Sequence, residues 1–266
     1  MTTTFARSLD EALTALAESA AAGAKPVVVS GGTLCVPAMV RGELDAADVV
    51  DLGRTGLNTL AVGSVIELGA LVSYQQVISS PRVRAELPLL HRMASGITGG
   101  IQIRNQGTLV GALCAARPQS DALAVLVALQ AEAVVVSASG TRTAPVADLL
   151  VSPGTTHLAA DELVAGLRIP ACLHGTGYVK LKFAESSWPV VTAAAVQDRV
   201  VLGGVAGTPQ VVPLPSRREV RAAVVDHLDA LPTEHRWADL RAPWAYRRRV
   251  APEIAARAVE LAEEAR

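Results

Sequence analysis

Apolar residues recur three and four positions apart at Leu9, Ala12, Leu13, Leu16 and Ala17, which predicts an amphipathic helix. Ser8, with Glu11 three residues on, reads as a capping box at its start, and Gly23 ends it. The period then changes. Short apolar runs predict strands over residues 26–29, 49–52, 59–62 and 65–68. Residues 73–78 and 87–94 return to helical spacing, and a glycine-rich loop over 96–100 comes after them. Residues 122–129 are apolar all round and predict a buried helix; 133–137 reads as a strand, with a hairpin turn at Ser139-Gly140-Thr141. A strand over 162–170 ends at Pro170, where we place a domain boundary. Beyond it, strands are expected over 177–184, 190–196 and 199–205, then helices over 216–228 and 251–264, the last with Pro252 near its first position. Alternation puts Lys180 and Lys182 on one strand face. The pattern predicts an α+β chain in two parts, 1–170 and 171–266, the second an antiparallel sheet packed on helices.

A chain of 266 residues that is 50% hydrophobic and 18% charged can bury a large core, although only 3% is aromatic, so Ala, Val and Leu must build it. A net charge of −1 leaves no electrostatic footprint for nucleic acid or an anionic membrane. The most apolar window, 122–136, is interrupted by Gln130 and Glu132 and is too short to span a bilayer. Cys35, Cys114 and Cys172 lack CxxC spacing, which argues against a zinc site or iron–sulfur cluster within this chain. Their odd number and wide spacing, with no signal-peptide pattern at the start, predict a cytoplasmic protein.

The candidate chemistry lies in two small-residue turns about 70 residues apart. The first, Ser30-Gly31-Gly32-Thr33, follows the strand containing Val28 and Val29. It lacks the third glycine of a dinucleotide-binding Rossmann turn and the Gly-Lys-Ser/Thr of a P-loop. The second, Gly107-Thr108-Leu109-Val110-Gly111-Ala112, follows Arg104 and leads into Arg117-Pro118-Gln119-Ser120-Asp121. Glycine permits close backbone approach, and successive N–H groups in a turn form an anion-binding nest. Arg104 suits either phosphate neutralisation or a structural salt bridge. Asp121 suits either a ribose contact or the cap of the next helix. His91, His157, His174, His227 and His235 are scattered and make no metal triplet. Arg247-Arg248-Arg249 reads as a solvated helix start or a partner contact.

These motifs resemble the FAD-binding subunit of the molybdenum-containing hydroxylases, the group of xanthine dehydrogenase and carbon monoxide dehydrogenase. That family reads A-G-G-T-D-L in its first loop, I-R-N-x-G-T-I-G-G-N in its second, and then S-P-x-x-D. Residues 201–209 also resemble its L-G-G-V-x-x-T-P, and residues 239–247 its D-x-R-x-S-x-x-Y-R. The resemblance implies a two-part PCMH-type FAD-binding domain followed by a small carbon monoxide dehydrogenase flavoprotein-like domain. It implies FAD held by Val28, Val29, Ser30, Gly31, Gly32, Thr33 and Leu34, and by Thr108, Leu109, Val110, Gly111 and Ala112. Asp121 would contact the FAD sugar region, and Lys180, in the matching Y-x-K strand, would lie near the flavin ring.

Three positions depart from that pattern: Leu34 stands where the family has Asp, Val110 where it has Gly, and Ala112 where it has Asn. Two of these changes remove hydrogen-bonding groups, and Val110 adds a branched side chain to a close-approach position. The resemblance implies an oxidoreductase subunit that passes electrons from a [2Fe–2S] small subunit and a molybdopterin large subunit to a small-molecule acceptor. The alternatives are a stand-alone or repurposed flavoprotein, and a non-catalytic assembly subunit without FAD. No catalytic acid or base is nominated.

Overall fold

A computed structural model describes residues 2–171, 175–214 and 216–265; Cys172 and His174 lie outside them. Helix α1 (Leu9–Ala21) buries Ala12, Leu16 and Ser19, the face its periodicity predicts. Ser8 Oγ accepts from the Glu11 N–H at 3.1 Å, but the Glu11 carboxylate reaches the Arg7 N–H at 2.7 Å, so the reciprocal arm of the cap falls one residue early. Strand β1 (Thr2–Phe5) has no buried alternation and forms by parallel pairing with β3 (Asp48–Asp51). The other edge of β3 takes β2 (Val27–Val29), also parallel, and the short helix α2 (Cys35–Val40) lies between β2 and β3 in sequence.

Next comes a five-stranded antiparallel sheet, ordered β4 (Leu60–Val62), β5 (Val65–Gly69), β10 (Leu163–Pro170), β6 (Glu132–Ser137), β7 (Gly140–Pro145). Six helices are inserted between β5 and β6: α3 (Tyr74–Ser79), α4 (Pro81–Glu86), α5 (Pro88–Ser95), α6 (Gly100–Gln106), α7 (Leu109–Ala115) and α8 (Asp121–Ala128). The expected glycine loop is therefore shorter than its composition suggests, since α6 begins at Gly100 straight after Gly99 at φ 92°. A short helix α9 (Val146–Leu149) and the ribbon β8 (Leu150–Ser152) with β9 (Thr155–Thr156) lead into β10.

The last part is a four-stranded meander of β11 (Gly177–Leu181), β12 (Val191–Val196), β13 (Arg199–Gly203) and β14 (Gln210–Pro213), covered by α10 (Val220–Ala230) and α11 (Trp244–Glu264). All six residues of β12 are buried. Because successive side chains alternate, Ala194 and Val196 join the core around α8, whereas Val191, Ala193 and Ala195 join the core under α10 and α11. All eight residues of α8 are buried, with β12 and β13 of the four-stranded sheet on one side and helices α5 and α7 on the other, as its uniform apolarity predicts.

Helix α11 starts seven residues before the position expected from its sequence, and Pro252 lies inside it rather than at its start. The extension is anchored by Arg247, which is fully buried rather than solvated. Its guanidinium donates to the carbonyls of Ala242 (3.1 Å), Gly204 (2.8 Å) and Val190, and to Asp239 Oδ1 at 2.6 Å. Among the described residues no helix is long and apolar enough to cross a membrane.

Candidate functional site

Strand β2 ends at Val29, buried against the core, and releases the chain into a turn of small residues. Val28 and Val29 themselves are ladder residues, paired with Val50 and Asp51. In the turn, the backbone N–H groups of Ser30, Gly31, Gly32, Thr33 and Leu34 make no hydrogen bond to any described residue. Unpaired backbone donors are costly unless water or a ligand takes them, so five in succession form a donor-rich rim suited to an anion. Gly32 holds φ 66°, the left-handed conformation that bends the chain here.

The second turn meets the first directly. Ser30 Oγ lies 3.1 Å from Thr108 Oγ1. Gly31 packs so tightly on the second segment that a Cβ there would overlap the Gln106 carbonyl. What the sequence presents as a loop over Gly107–Ala112 is mostly the first turn of α7, with Thr108 as its N-cap accepting from the Gly111 N–H at 3.0 Å. The Val110 N–H is consequently a free first-turn donor of that helix, whereas the Leu109 N–H faces the Val72 carbonyl across the isolated antiparallel bridge between Ser73 and Thr108. Gly111 faces the two hydroxyls: a Cβ there would come 2.9 Å from Thr108 Oγ1 and 3.1 Å from Ser30 Oγ.

The departures at Val110 and Ala112 take on a different meaning once α7 is in place. Both side chains are buried in the main core, at 5% and 9% exposure, alongside Leu109 and Leu113. The branched side chain of Val110 therefore points away from the donor rim instead of obstructing it. Leu34 is half-buried at the start of α2 and offers no side-chain cap.

Asp121 and Lys180, distant in sequence, touch. Lys180 Nζ donates to Asp121 Oδ1 at 2.6 Å and to the Gly96 carbonyl at 2.5 Å. The Tyr178 hydroxyl donates to the same Oδ1 at 2.8 Å. Asp121 is not the cap of α8; Ser120 is, accepting from the Ala122 N–H at 3.3 Å. Burial and the Asp121 charge raise the phenols of Tyr178 and Tyr74 above their ordinary value. Tyr74 links this cluster to the second turn, since its N–H donates to the Gly107 carbonyl at 3.0 Å and its ring packs on Gly107. Sequence reasoning missed Tyr74 and Tyr178; the Tyr at the head of the Y-x-K strand was the available signal. Lys182, on the same face as Lys180, pairs instead with Glu185. Arg104 is half-buried on α6 and forms no ion pair with any described residue, so the structural salt bridge weighed for it is not made.

A two-turn donor rim beside a buried carboxylate has the chemistry of a dinucleotide cradle, and comparisons with known proteins bear on which dinucleotide. A family model, the FAD binding domain in molybdopterin dehydrogenase, matches residues 1–172. The chain is 32% identical over 197 residues to the nicotine 6-hydroxylase medium subunit of Paenarthrobacter nicotinovorans, spanning 70% of this chain and 69% of that protein. It is 30% identical over 199 residues to the carbon monoxide dehydrogenase medium chain of Hydrogenophaga pseudoflava, spanning 73% and 67%. Its fold superposes on a chain of a solved carbon monoxide dehydrogenase from Hydrogenophaga pseudoflava with a TM-score of 0.88 at 27% identity, covering 99% of this chain and 97% of that one. A chain of quinoline 2-oxidoreductase from Pseudomonas putida 86 shares the fold alone, with a TM-score of 0.86 at 19% identity, covering 99% of this chain and 96% of that one. The chain belongs to the FAD-binding domain family of the molybdopterin dehydrogenases, and its cofactor is FAD.

Proposed function

We propose that this chain is the flavin-bearing medium subunit of a molybdenum hydroxylase-type complex. In this reading it receives electrons that originate at a molybdopterin large subunit and pass through a [2Fe–2S] small subunit, and it delivers them to a small-molecule acceptor in the cytosol. The observation that carries the reading is the pairing of the two turns: six backbone N–H groups, at residues 30–34 and 110, lack acceptors among the described residues where the turns meet. That donor set matches the demand of a diphosphate, which needs many short N–H contacts and little bulk. The names of two relatives, a medium subunit and a medium chain, support membership of a larger assembly.

In this reading the residues divide by task. Ser30, Gly31, Gly32, Thr33 and Leu34 on one side, and Thr108, Leu109, Val110 and Gly111 on the other, hold the diphosphate, chiefly through backbone N–H groups. Val28, Val29 and Ala112 support those turns from the strand and from the core. Arg104 supplies a cation free to screen phosphate. Asp121 receives a sugar hydroxyl, and Lys180 anchors that carboxylate by an ion pair. FAD, when bound, supplies the redox chemistry, and the protein supplies position and electrostatics. We further read the chain as two units, 1–170 and 171–266, the first carrying both turns and the second closing over Asp121; the extent of the family match supports that division.

The test is an absorbance spectrum of the purified chain before and after adding FAD, followed by pull-down from the native host. Flavin bands in the protein fraction, together with co-purifying iron–sulfur and molybdenum subunits, are expected. A yellow chain that never acquires such partners would favour a stand-alone flavoprotein. A colourless chain that still joins the complex would mark an assembly subunit.

A further inference from the structure

The two donors on Asp121 are both spent on one oxygen. Tyr178 and Lys180 crowd Oδ1, at 2.8 and 2.6 Å. Oδ2 accepts from no described residue, yet it is not among the polar atoms sealed from solvent without a partner, so part of the 5% exposure of Asp121 belongs to it. A carboxylate pinned through one oxygen and open at the other is an acceptor with a set direction. Both pinning groups come from β11, whereas Asp121 begins α8 on the opposite layer.

Resting on the FAD reading above, we propose that Tyr178 is a positioning residue for Asp121. With Lys180, it holds the carboxylate turned so that only Oδ2 reaches the cofactor's sugar chain. The four-stranded layer thereby takes part in cofactor capture without touching the diphosphate. The titratable groups facing Asp121 are Tyr178 and Lys180 from β11 and Tyr74 from α3; Glu185, exposed on the turn after β11, senses Lys180 from outside. Both tyrosines are neutral through the physiological range, as an ordinary phenol is, and burial raises them further, so the charged groups of the cluster are Asp121 and Lys180.

The experiment is FAD affinity of the full chain, by fluorescence titration between about pH 6 and pH 8, for the wild type and five variants. Tyr178→Phe removes one donor but keeps the ring, and should weaken FAD by roughly three- to tenfold at every pH, the range of one hydrogen bond. Lys180→Met leaves a buried carboxylate without its cation, which takes up a proton more readily. Its affinity should fall by a further one-proton step as pH drops from about 8 to about 6, where the wild type stays flat. Asp121→Asn should be weak and flat, and the double variant Lys180→Met/Asp121→Asn should lose the step. Thermal melts monitor folding, and Lys180→Arg should restore a flat profile if Lys180→Met proves unstable. Wild-type FAD binding with a Lys180→Met or Tyr178→Phe profile that matches the wild type would overturn this proposal alone. A step that persists in the double variant would also overturn it. A wild-type chain that binds no FAD at any pH sinks the cofactor reading and this one together.

Discussion

Gly31 and Val110 show how differently a single position reads in sequence and in three dimensions. Gly31 looks like an ordinary turn glycine, yet it is where the two turns touch, and any Cβ would overlap the Gln106 carbonyl. Gly31→Ala should push the turns apart, costing roughly 1–3 kcal/mol as an overpacked contact and abolishing flavin retention; a melt and the flavin content of the purified variant check both. Val110 looks like an intrusion into a glycine-rich cradle. Its position on the first turn of α7 sends the side chain into the core, while its N–H stays on the rim. Val110→Gly, which restores the family pattern, should therefore lower stability by roughly 2–3 kcal/mol from lost burial and helix propensity, without tightening FAD. A gain in FAD affinity would show that Val110 does reach the cradle. The motif itself was legible from residue spacing. The direction of each side chain was not, because that depends on where α7 starts, and glycine-rich composition concealed a helix.

At the scale of elements, the strands and helices expected from periodicity are found, α2, α4, α6, α7 and β14 are not foreseen from it, and two further departures, β1 and α11, share a tertiary cause. Strand β1 has no alternating face, so only its parallel partner β3 brings it into being. Helix α11 runs through Pro252 because its first two turns are held by the buried Arg247, whose acceptors come from the ends of β12 and β13 and from the segment just before the helix. Within the run Arg247-Arg248-Arg249 nothing distinguishes the first arginine from its solvated neighbours; only the D-x-R-x-S-x-x-Y-R resemblance, which begins at Asp239 and ends at Arg247, singles it out. Arg247→Met leaves three carbonyls without their donor and Asp239 without its guanidinium partner, and should cost about 3–5 kcal/mol, the range for breaking a buried pair; Arg247→Lys should not rescue the forked geometry. Asp239 also makes a pH-dependent contribution. Burial alone raises its carboxyl, but the Ala242 N–H, the Arg247 guanidinium and the Arg241 N–H outweigh that and hold it below the ordinary value. A depressed carboxyl contributes stability above its unfolded value of about 3.9 and loses it as pH falls through the folded one. The deficit of Asp239→Asn relative to the wild type should be full at about pH 7 and shrink below about pH 4, as chemical denaturation across pH would show.

The architecture of the whole molecule turns on one helix. Apolar on all sides, α8 has no surface to present to water, so it needs a layer on each face. Helices α5 and α7 cover one side, and Ala194, Val196 and Val201 of the four-stranded sheet cover the other, in a single continuous core that also takes in the five-stranded sheet. The sequence announces the buried helix and places a boundary near residue 170, but it cannot reveal that the two sides of that boundary share a core, since the contacts join segments far apart along the chain. The Asp121–Lys180 bond closes the same seam with a buried ion pair. Two parts that shared only a linker would melt separately, whereas parts that share a core of this kind lose it together. The chain should therefore unfold in one transition, with calorimetric and van't Hoff enthalpies in agreement. Added FAD should shift that whole transition upward, by the ordinary linkage of ligand binding to stability, rather than splitting it. Two resolved transitions, only one of them moved by FAD, would mean that the four-stranded layer is an independent unit and that its hold on Asp121 is not part of cofactor capture.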